Sequence, residues 1–300
     1  MIKPVKYIWM DGKLVFWKSA KVHILTHSLH YGSSVFEGIH SYKSGSGTCI
    51  FRLDDHINRL FNSAQAIGIK IKFSKEKIKN AIKQLIKANK IGEGYIRPLA
   101  YYGYGNVGVF PKDVPSNISI ITIHWGSYYS KPLNIMVSSY MRHSEKSTVY
   151  GTKMGGNYVN SILAMHEARA KNYDEALMLD LDGYVSEGPA ENIFAVIGGE
   201  IIAPQSQSAL PGITRDSIIK IANDLGINSH EKKLTLDEIK NADELFFCGT
   251  ATEIAPIISI DSEKIGNGNV GKITSAIKEK YDLVVRGKDI RYLKWLTYVK

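Results

Sequence analysis

Tyr150-Gly151-Thr152-Lys153-Met154-Gly155-Gly156-Asn157-Tyr158 is the stretch on which the reading of this chain turns. Glycines crowded around one lysine let the backbone approach a ligand closely. Apolar spacing directly after it predicts a helix over 158–170 with Ile162, Met165 and Ala168 on its inner face. A lysine held in a partly buried, glycine-lined pocket is how a protein prepares an amine to condense with a carbonyl. Composition by itself favours an ordinary loop lysine, because the chain has 30 lysines to choose from.

On the N-terminal side of this stretch the chain reads as strands and two helices. Tyr7–Met10 and Leu14–Trp17 flank Asp11-Gly12, a hairpin signal, and Ser44-Gly45-Ser46-Gly47 turns into a strand over 48–52. Ile57, Leu60, Phe61, Ala64 and Ile67 mark one helix. Ile78, Ala81, Ile82, Leu85 and Ile86 mark a second, with Ser74 as its N-cap. Strands follow near 95–102 and 118–125. On the C-terminal side, strands are expected at 135–140, 176–180, 184–186, 193–196, 245–248 and 254–260, and helices at 211–225 and 273–285. Hairpins dominate over β-α-β units, so the fold class is α+β. The glycine- and tyrosine-rich run Gly126–Pro132 breaks the pattern. The expected division is a small N-terminal domain over 1–126, a linker over 127–134 and a larger domain over 135–300.

The formal net charge of +9 comes from 30 lysines and 8 arginines against 29 acidic residues. The lysines concentrate on helix faces, as at Lys75, Lys77, Lys79, Lys83, Lys87 and Lys90, and no arginine-rich tract, zinc-finger spacing or RNA-binding aromatic motif accompanies them. The charge therefore reads as a solvated surface suited to small anionic substrates, with no nucleic-acid partner. Cys49 and Cys248 are isolated, which suits a reducing compartment. The stretch Met1–Asp11 lacks a signal-peptide core, and no apolar run reaches the ~18 residues of a membrane helix. The expectation is a cytoplasmic protein with no membrane partner.

Two motifs mislead. Gly103-Tyr-Gly105-Asn-Val-Gly108 fits a dinucleotide fingerprint, but Pro111 and Pro115 follow where a helix should start, so a loop beside a pocket is the better reading. His23, His27 and His30 would share a helical face and could hold zinc. Their β-branched surroundings favour a strand or irregular segment with structural histidines, and no metal site is expected.

Three further loops have polar chemistry. Ser186–Asn192 could offer a carboxylate to a cationic ligand group, or be a capped turn. Pro211–Asp216 opens a helix and could receive an anion, or be a plain N-terminus. Gly249–Glu253 is a similar small-residue turn. Each signal is weak alone. Together the blocks HYGSSVFEGI (30–39), YIRPL (95–99), KMGGNY (153–158), SEGPAEN (186–192), LPGITRD (210–216) and CGTATEI (248–254) resemble the branched-chain aminotransferases among the fold-type IV pyridoxal-phosphate enzymes. The matching region runs from residue 7 to about 260, in the family's order.

The resemblance implies two mixed α/β domains joined by a short linker, pyridoxal 5′-phosphate as cofactor, and reversible ping-pong transfer of an amino group between leucine, isoleucine or valine and 2-oxoglutarate. It implies that Lys153 is the lysine that bonds the coenzyme and moves the proton at Cα, that Glu187 faces the pyridine nitrogen, and that Tyr158 donates to the phenolate oxygen. Arg59, the amides of Ile213 and Thr214, and Thr250 would hold the phosphate, with Leu210 and Gly212 on the same cofactor side. Tyr31, Phe36, Val109, Trp125 and Tyr128 would wall an aliphatic side chain, with Gly38 beside them. Tyr95 and the amides of Ala251 and Thr252 would take the α-carboxylate, and Arg97 the distal carboxylate of glutamate. A homodimer or higher oligomer, with the site near the subunit contact, follows from the same resemblance. His40 stands where the family often has arginine, and Ala203 where it often has threonine. Relatives acting on D-amino acids or R-amines, or the lyase that acts on aminodeoxychorismate, would keep Lys153 and Glu187 but alter the carboxylate-binding residues; Tyr95 and Arg97 argue against them. A basic nucleic-acid-binding protein is the reading from another class.

Overall fold

The computed structural model describes residues 3–126 and 128–300. Met1, Ile2 and Ser127, which begin the expected N-terminal domain and linker, lie outside the described residues. The chain divides into two compact units, one of Met1–Gly126, Thr152–Gly156 and Val284–Lys300, the other of Ser127–Gly151 and Asn157–Leu283.

Among the described residues the first unit holds an eight-stranded sheet ordered Leu296–Tyr298, Gly47–Phe51, Ile39–Ser44, Gly94–Tyr102, Ser116–His124, Tyr7–Met10 and Lys13–Phe16, with Ser34–Phe36 also paired to Gly94–Tyr102. All of these pairings are antiparallel. The two expected helices are Leu53–Ala66 and Lys75–Asn89. Ser74 caps the second by accepting from the Lys77 amide at 3.2 Å. Ile78, Ala81, Ile82, Leu85 and Ile86 pack inward while the lysines between them face out, as the 3.6-residue period requires. Ile57, Leu60, Ile82 and Leu85 join Trp9, Ile39 and Ile96 in one core, each such buried side chain contributing about 1.5–3 kcal/mol.

Among the described residues of the second unit a nine-stranded sheet runs Val185–Glu187, Glu175–Leu179, Leu133–Val137, Glu253–Ile260, Glu244–Gly249, Asn192–Ile197, Glu200–Pro204 and Ser229–Lys232, with Glu263–Lys264 on the side of Glu253–Ile260. This sheet is mixed. Leu133–Val137 lies parallel to both neighbours, and Glu200–Pro204 is parallel to Ser229–Lys232. The α+β class holds for both units.

The division differs from the expected one in two places. Leu296–Tyr298 pairs with Gly47–Phe51, which ties the C-terminus to the first unit and not to a domain over 135–300. The segment Thr152–Gly156 also belongs to the first unit. Met154 bridges Val35, and the amides of Gly155 and Gly156 donate to Ser34 O at 2.8 Å and Gly32 O at 3.0 Å. A Cβ on Gly155 would stand 2.3 Å from Ser34 Oγ, so a larger residue would have to displace that hydroxyl.

The helix Tyr158–Ala170 forms as expected, but its inner face is Ser161, Ala164 and Ala168. Ile162 is half exposed, because small residues let the helix lie close on the Glu175–Leu179 strand. The histidine-rich segment is also corrected. It contains a short helix, His27–Tyr31, closed by left-handed Gly32.

Candidate active site

In the first unit the Phe36 ring is a hub. The Lys153 Nζ lies 5.2 Å from its centroid and the Arg97 guanidinium 4.6 Å. The backbone fixes this: Phe36 N donates to Lys153 O at 3.1 Å, and Lys153 N donates to Ser63 Oγ at 3.0 Å. Arg97 also lies 5.0 Å from the Tyr95 ring, with its Nη2 donating to the Tyr95 hydroxyl at 2.9 Å. Trp125 tilts against Tyr95 at 5.4 Å, and Gly38 backs onto the Tyr95 hydroxyl. Lys153, Phe36, Gly38, Tyr95, Arg97 and Trp125 thus gather from four separate stretches of sequence. Two cations over one apolar ring make a cluster whose charge suits the carboxylates of a ligand.

Arg59 is held by Glu37, the neighbour of Phe36 in sequence, to which the sequence assigned no role. Glu37 is fully buried. Its Oε1 accepts from Arg59 Nε at 2.5 Å, its Oε2 from Arg59 Nη2 at 2.9 Å and from His56 Nδ1 at 2.8 Å. Burial pushes the Glu37 carboxyl up, but the Arg59 charge and the bonds from His56 and Arg59 outweigh it and hold the group at about 2. Burial lowers His56 despite its bond to Glu37, so the imidazole is neutral and donates from Nδ1. The ion pair is therefore Glu37–Arg59, with His56 as a neutral third member. His40 is likewise pushed down by burial, to about 4, and stacks edge-on against Tyr42 at 4.4 Å. It brings no charge at neutral pH.

Tyr31 and Val109 are not brought to the Phe36 ring. The Tyr31 hydroxyl donates to Val107 O at 2.5 Å, and Val109 is 77% exposed. Gly103–Gly108 is a loop with no helix after it; its Gly108 O contacts His27 Nε2 at 2.9 Å. His23, His27 and His30 are each occupied, by Leu25 N, Ser33 Oγ and Ile24 O respectively.

In the second unit the loop after Val185–Glu187 organises the site. Glu187, 4% exposed, accepts from Leu210 N at 3.0 Å and Asn192 Nδ2 at 3.2 Å, and pairs with Arg142 Nη2 at 2.7 Å. Asn192 Nδ2 also donates to Leu210 O at 2.9 Å. A Cβ on Gly212 would fall 2.0 Å from Asn192 Oδ1, so a larger residue before the helix Ile213–Asp224 would have to push that amide off Glu187 and Leu210 O or open the turn. Gly212 offers no capping side chain, and the first-turn amides of Ile213 and Thr214 are disposed for an anion. The other end of the loop reaches the Gly249–Glu253 turn: Thr252 Oγ1 donates to Glu191 Oε1 at 3.0 Å. Tyr158 and Ser161 line a cavity of ≈ 440 Å³ with Pro189 and Ala190, and Ser161 Oγ donates to Pro189 O at 2.6 Å. Tyr128 is half exposed and packs edge-on against Tyr129 at 4.6 Å.

Glu187, Leu210, Gly212, Ile213 and Thr214 are thus contiguous, and Ala251 and Thr252 adjoin the same loop. Arg142, Asn192, Glu37 and His56 had no role expected of them from sequence. Asn192 and Glu37 lie inside quoted blocks. Arg142 stands 45 positions from Glu187 in an irregular segment, and no local pattern marks it.

These features define a class. The class IV amino-transferase family model matches residues 34–260, and the chain belongs to that family. Its relatives are more particular. The branched-chain-amino-acid aminotransferase of Pseudomonas aeruginosa PAO1 is 40% identical over 98% of this chain and 97% of its own length. The enzyme of the same name from Escherichia coli K12 is 39% identical over 99% and 98%. A solved T.th. branched-chain amino acid aminotransferase complexed with N-(5′-phosphopyridoxyl)-L-glutamate is 42% identical, superposes with a TM-score of 0.97 and covers 100% of both chains. Among the described residues, no helix is long and apolar enough to cross a membrane.

Proposed function

We propose that this chain is a pyridoxal-phosphate-dependent branched-chain-amino-acid aminotransferase, moving an amino group reversibly between leucine, isoleucine or valine and 2-oxoglutarate in a ping-pong cycle. The observation that carries this reading is the pair of cations, Lys153 and Arg97, set over one aromatic ring beside Tyr95. The donor set fits the cofactor. A glycine-opened helix start suits a phosphate, a buried carboxylate suits a cationic ring nitrogen, and an amine suits an aldehyde.

When bound, the coenzyme supplies an electron sink for the charge developing at the substrate Cα. Lys153 Nζ takes and returns the proton at that carbon. Glu187, fixed by Arg142, Asn192 and the Leu210 amide, holds a proton at the coenzyme's ring nitrogen. Tyr158 donates to its phenolic oxygen. Arg59, the Ile213 and Thr214 amides and Thr250 bind its phosphate. Tyr95 and the amides of Ala251 and Thr252 take the substrate α-carboxylate. Phe36, Trp125 and Tyr128 form the aliphatic wall, and Arg97 receives the distal carboxylate of glutamate. The exposed Tyr31, Val109 and Phe110 support a homodimer or higher oligomer in which these side chains are covered. A cytoplasmic location and partners limited to small acids, with no nucleic acid, complete the proposal.

A visible spectrum of the purified protein tests it. The expected result is a visible absorbance from lysine-bonded coenzyme which L-leucine bleaches, and which Lys153→Ala lacks while losing transamination. A donor panel with 2-oxoglutarate in which only D-amino acids or R-amines react overturns the substrate assignment, and near-normal turnover by Lys153→Ala overturns the role of that lysine.

A further inference from the structure

Glu187 and Glu191 lie four positions apart in one loop, both buried, in opposite electrostatic settings. Glu187 has a guanidinium at 2.7 Å. Among the described residues, the groups bonded to the Glu191 carboxyl are neutral: Thr252 Oγ1 on Oε1 at 3.0 Å and the Ala190 amide on Oε2 at 3.1 Å. The side chain is 5% exposed and Thr252 is 7% exposed. Glu191 therefore stitches the Ser186–Asn192 loop to the Gly249–Glu253 turn, and its backbone carbonyl accepts from Gly188 N at 2.8 Å.

The groups facing it are acids or neutral. Glu175 comes from the neighbouring Glu175–Leu179 strand, Glu187 from its own loop, Tyr129 from the 128–132 segment and Cys248 from Glu244–Gly249. Glu175 is itself 2% exposed and accepts from the Tyr129 hydroxyl at 2.5 Å; the charge of Arg169 acts on it only in part. Burial, then the Glu175 and Glu187 charges, push the Glu191 carboxyl up to about 8.

We propose that Glu191 is a positioning residue that works in its protonated, uncharged form, fixing the Ala251–Thr252 turn without setting a negative charge behind it. A protonated carboxyl and a hydroxyl can share the Glu191–Thr252 bond in either sense, so the tie survives neutralisation. Resting on the proposed function, this matters because the Ala251 and Thr252 amides would receive the substrate α-carboxylate. An ionised Glu191 would repel that carboxylate from behind. At neutral pH the loop thus offers one charged acid and one neutral acid from two glutamates.

The test compares wild type with Glu191→Gln, an isostere of the neutral acid, both saturated with pyridoxal phosphate. The folded carboxyl binds its proton more tightly than the unfolded one. Its contribution to stability is therefore complete below about pH 4.5 and falls as pH rises toward 8. The melting curves of wild type and Glu191→Gln are expected to coincide at pH 5, with the variant melting several degrees higher by pH 8.5. The KM of wild type for L-leucine is expected to rise on the order of tenfold between pH 7 and 9.5 relative to Glu191→Gln, with kcat changing in parallel in both. A melting gap that does not vary with pH overturns the proposal whatever the activity. A varying gap with identical KM profiles overturns the link to the carboxylate turn. Absence of transamination in wild type with the varying gap present overturns the proposed function and the carboxylate role together, and leaves the protonated Glu191 supported. Glu191→Ala, which removes the tie, is expected to raise KM at every pH; an unchanged KM in that variant also overturns the positioning role.

Discussion

Replacing Glu37 with glutamine removes one charge from a carboxylate that is fully buried between Arg59 and His56. The folded carboxyl sits at about 2 against an ordinary 4.5. A difference of that size corresponds to about 3 kcal/mol of stability near pH 7. Breaking a buried ion pair by removing one partner costs about 3–5 kcal/mol, which agrees. Because the folded value is depressed, the contribution is present above pH 4.5 and is lost as pH falls through about 2. Urea unfolding of wild type and Glu37→Gln, followed by far-ultraviolet dichroism at pH 7 and pH 3, measures it. The expected gap is about 3 kcal/mol at pH 7, with a fall in melting temperature of roughly 6–12 °C, and a smaller gap at pH 3. A gap under about 1 kcal/mol, or one equal at both pH values, would refute the charge-pair account. Arg59 loses its fixed orientation in the same variant, so weaker retention of pyridoxal phosphate on dialysis is expected as well.

Arg97→Ala should raise the KM for glutamate by about ten- to a hundredfold while leaving that for leucine within a few-fold, since only glutamate brings a second carboxylate to be left unpaired; steady-state kinetics with both donors decide it, and equal losses would reject the role. Gly212→Ala places a Cβ 2.0 Å from Asn192 Oδ1, so either the Asn192 amide leaves Glu187 and Leu210 O or the turn opens. A stability loss of about 1–3 kcal/mol together with weaker coenzyme binding is expected, read by calorimetry and by fluorescence titration.

Most of the secondary structure was legible because hydrophobic period and turn residues agree locally. The Asp11-Gly12 hairpin lies between Tyr7–Met10 and Lys13–Phe16, and Ser74 does cap Lys75–Asn89. What escaped was set at long range. Leu296–Tyr298 has no local signal that it belongs beside Gly47–Phe51, and Ile162 reads as core until the small residues Ser161, Ala164 and Ala168 are seen against the sheet. The candidate site divides the same way. Lys153, Glu187 and the Ile213 helix start sit inside short, recognisable blocks. Arg142 and His56 act only through other side chains, so their signal is three-dimensional. Tyr31 and Val109 were expected on the aliphatic wall, but within this chain they belong to a separate exposed group.

The passage of Thr152–Gly156 into the first unit, with its flanks in the second, means that no single cut separates the two. A fragment ending at Gly126 would omit both the lysine and the last strand of its own sheet. The sheet of the first unit is therefore whole only after Leu296–Tyr298 has been synthesised. Any attempt to exchange the first unit between related proteins would have to transplant three pieces of sequence together, and exchange of the second would take two.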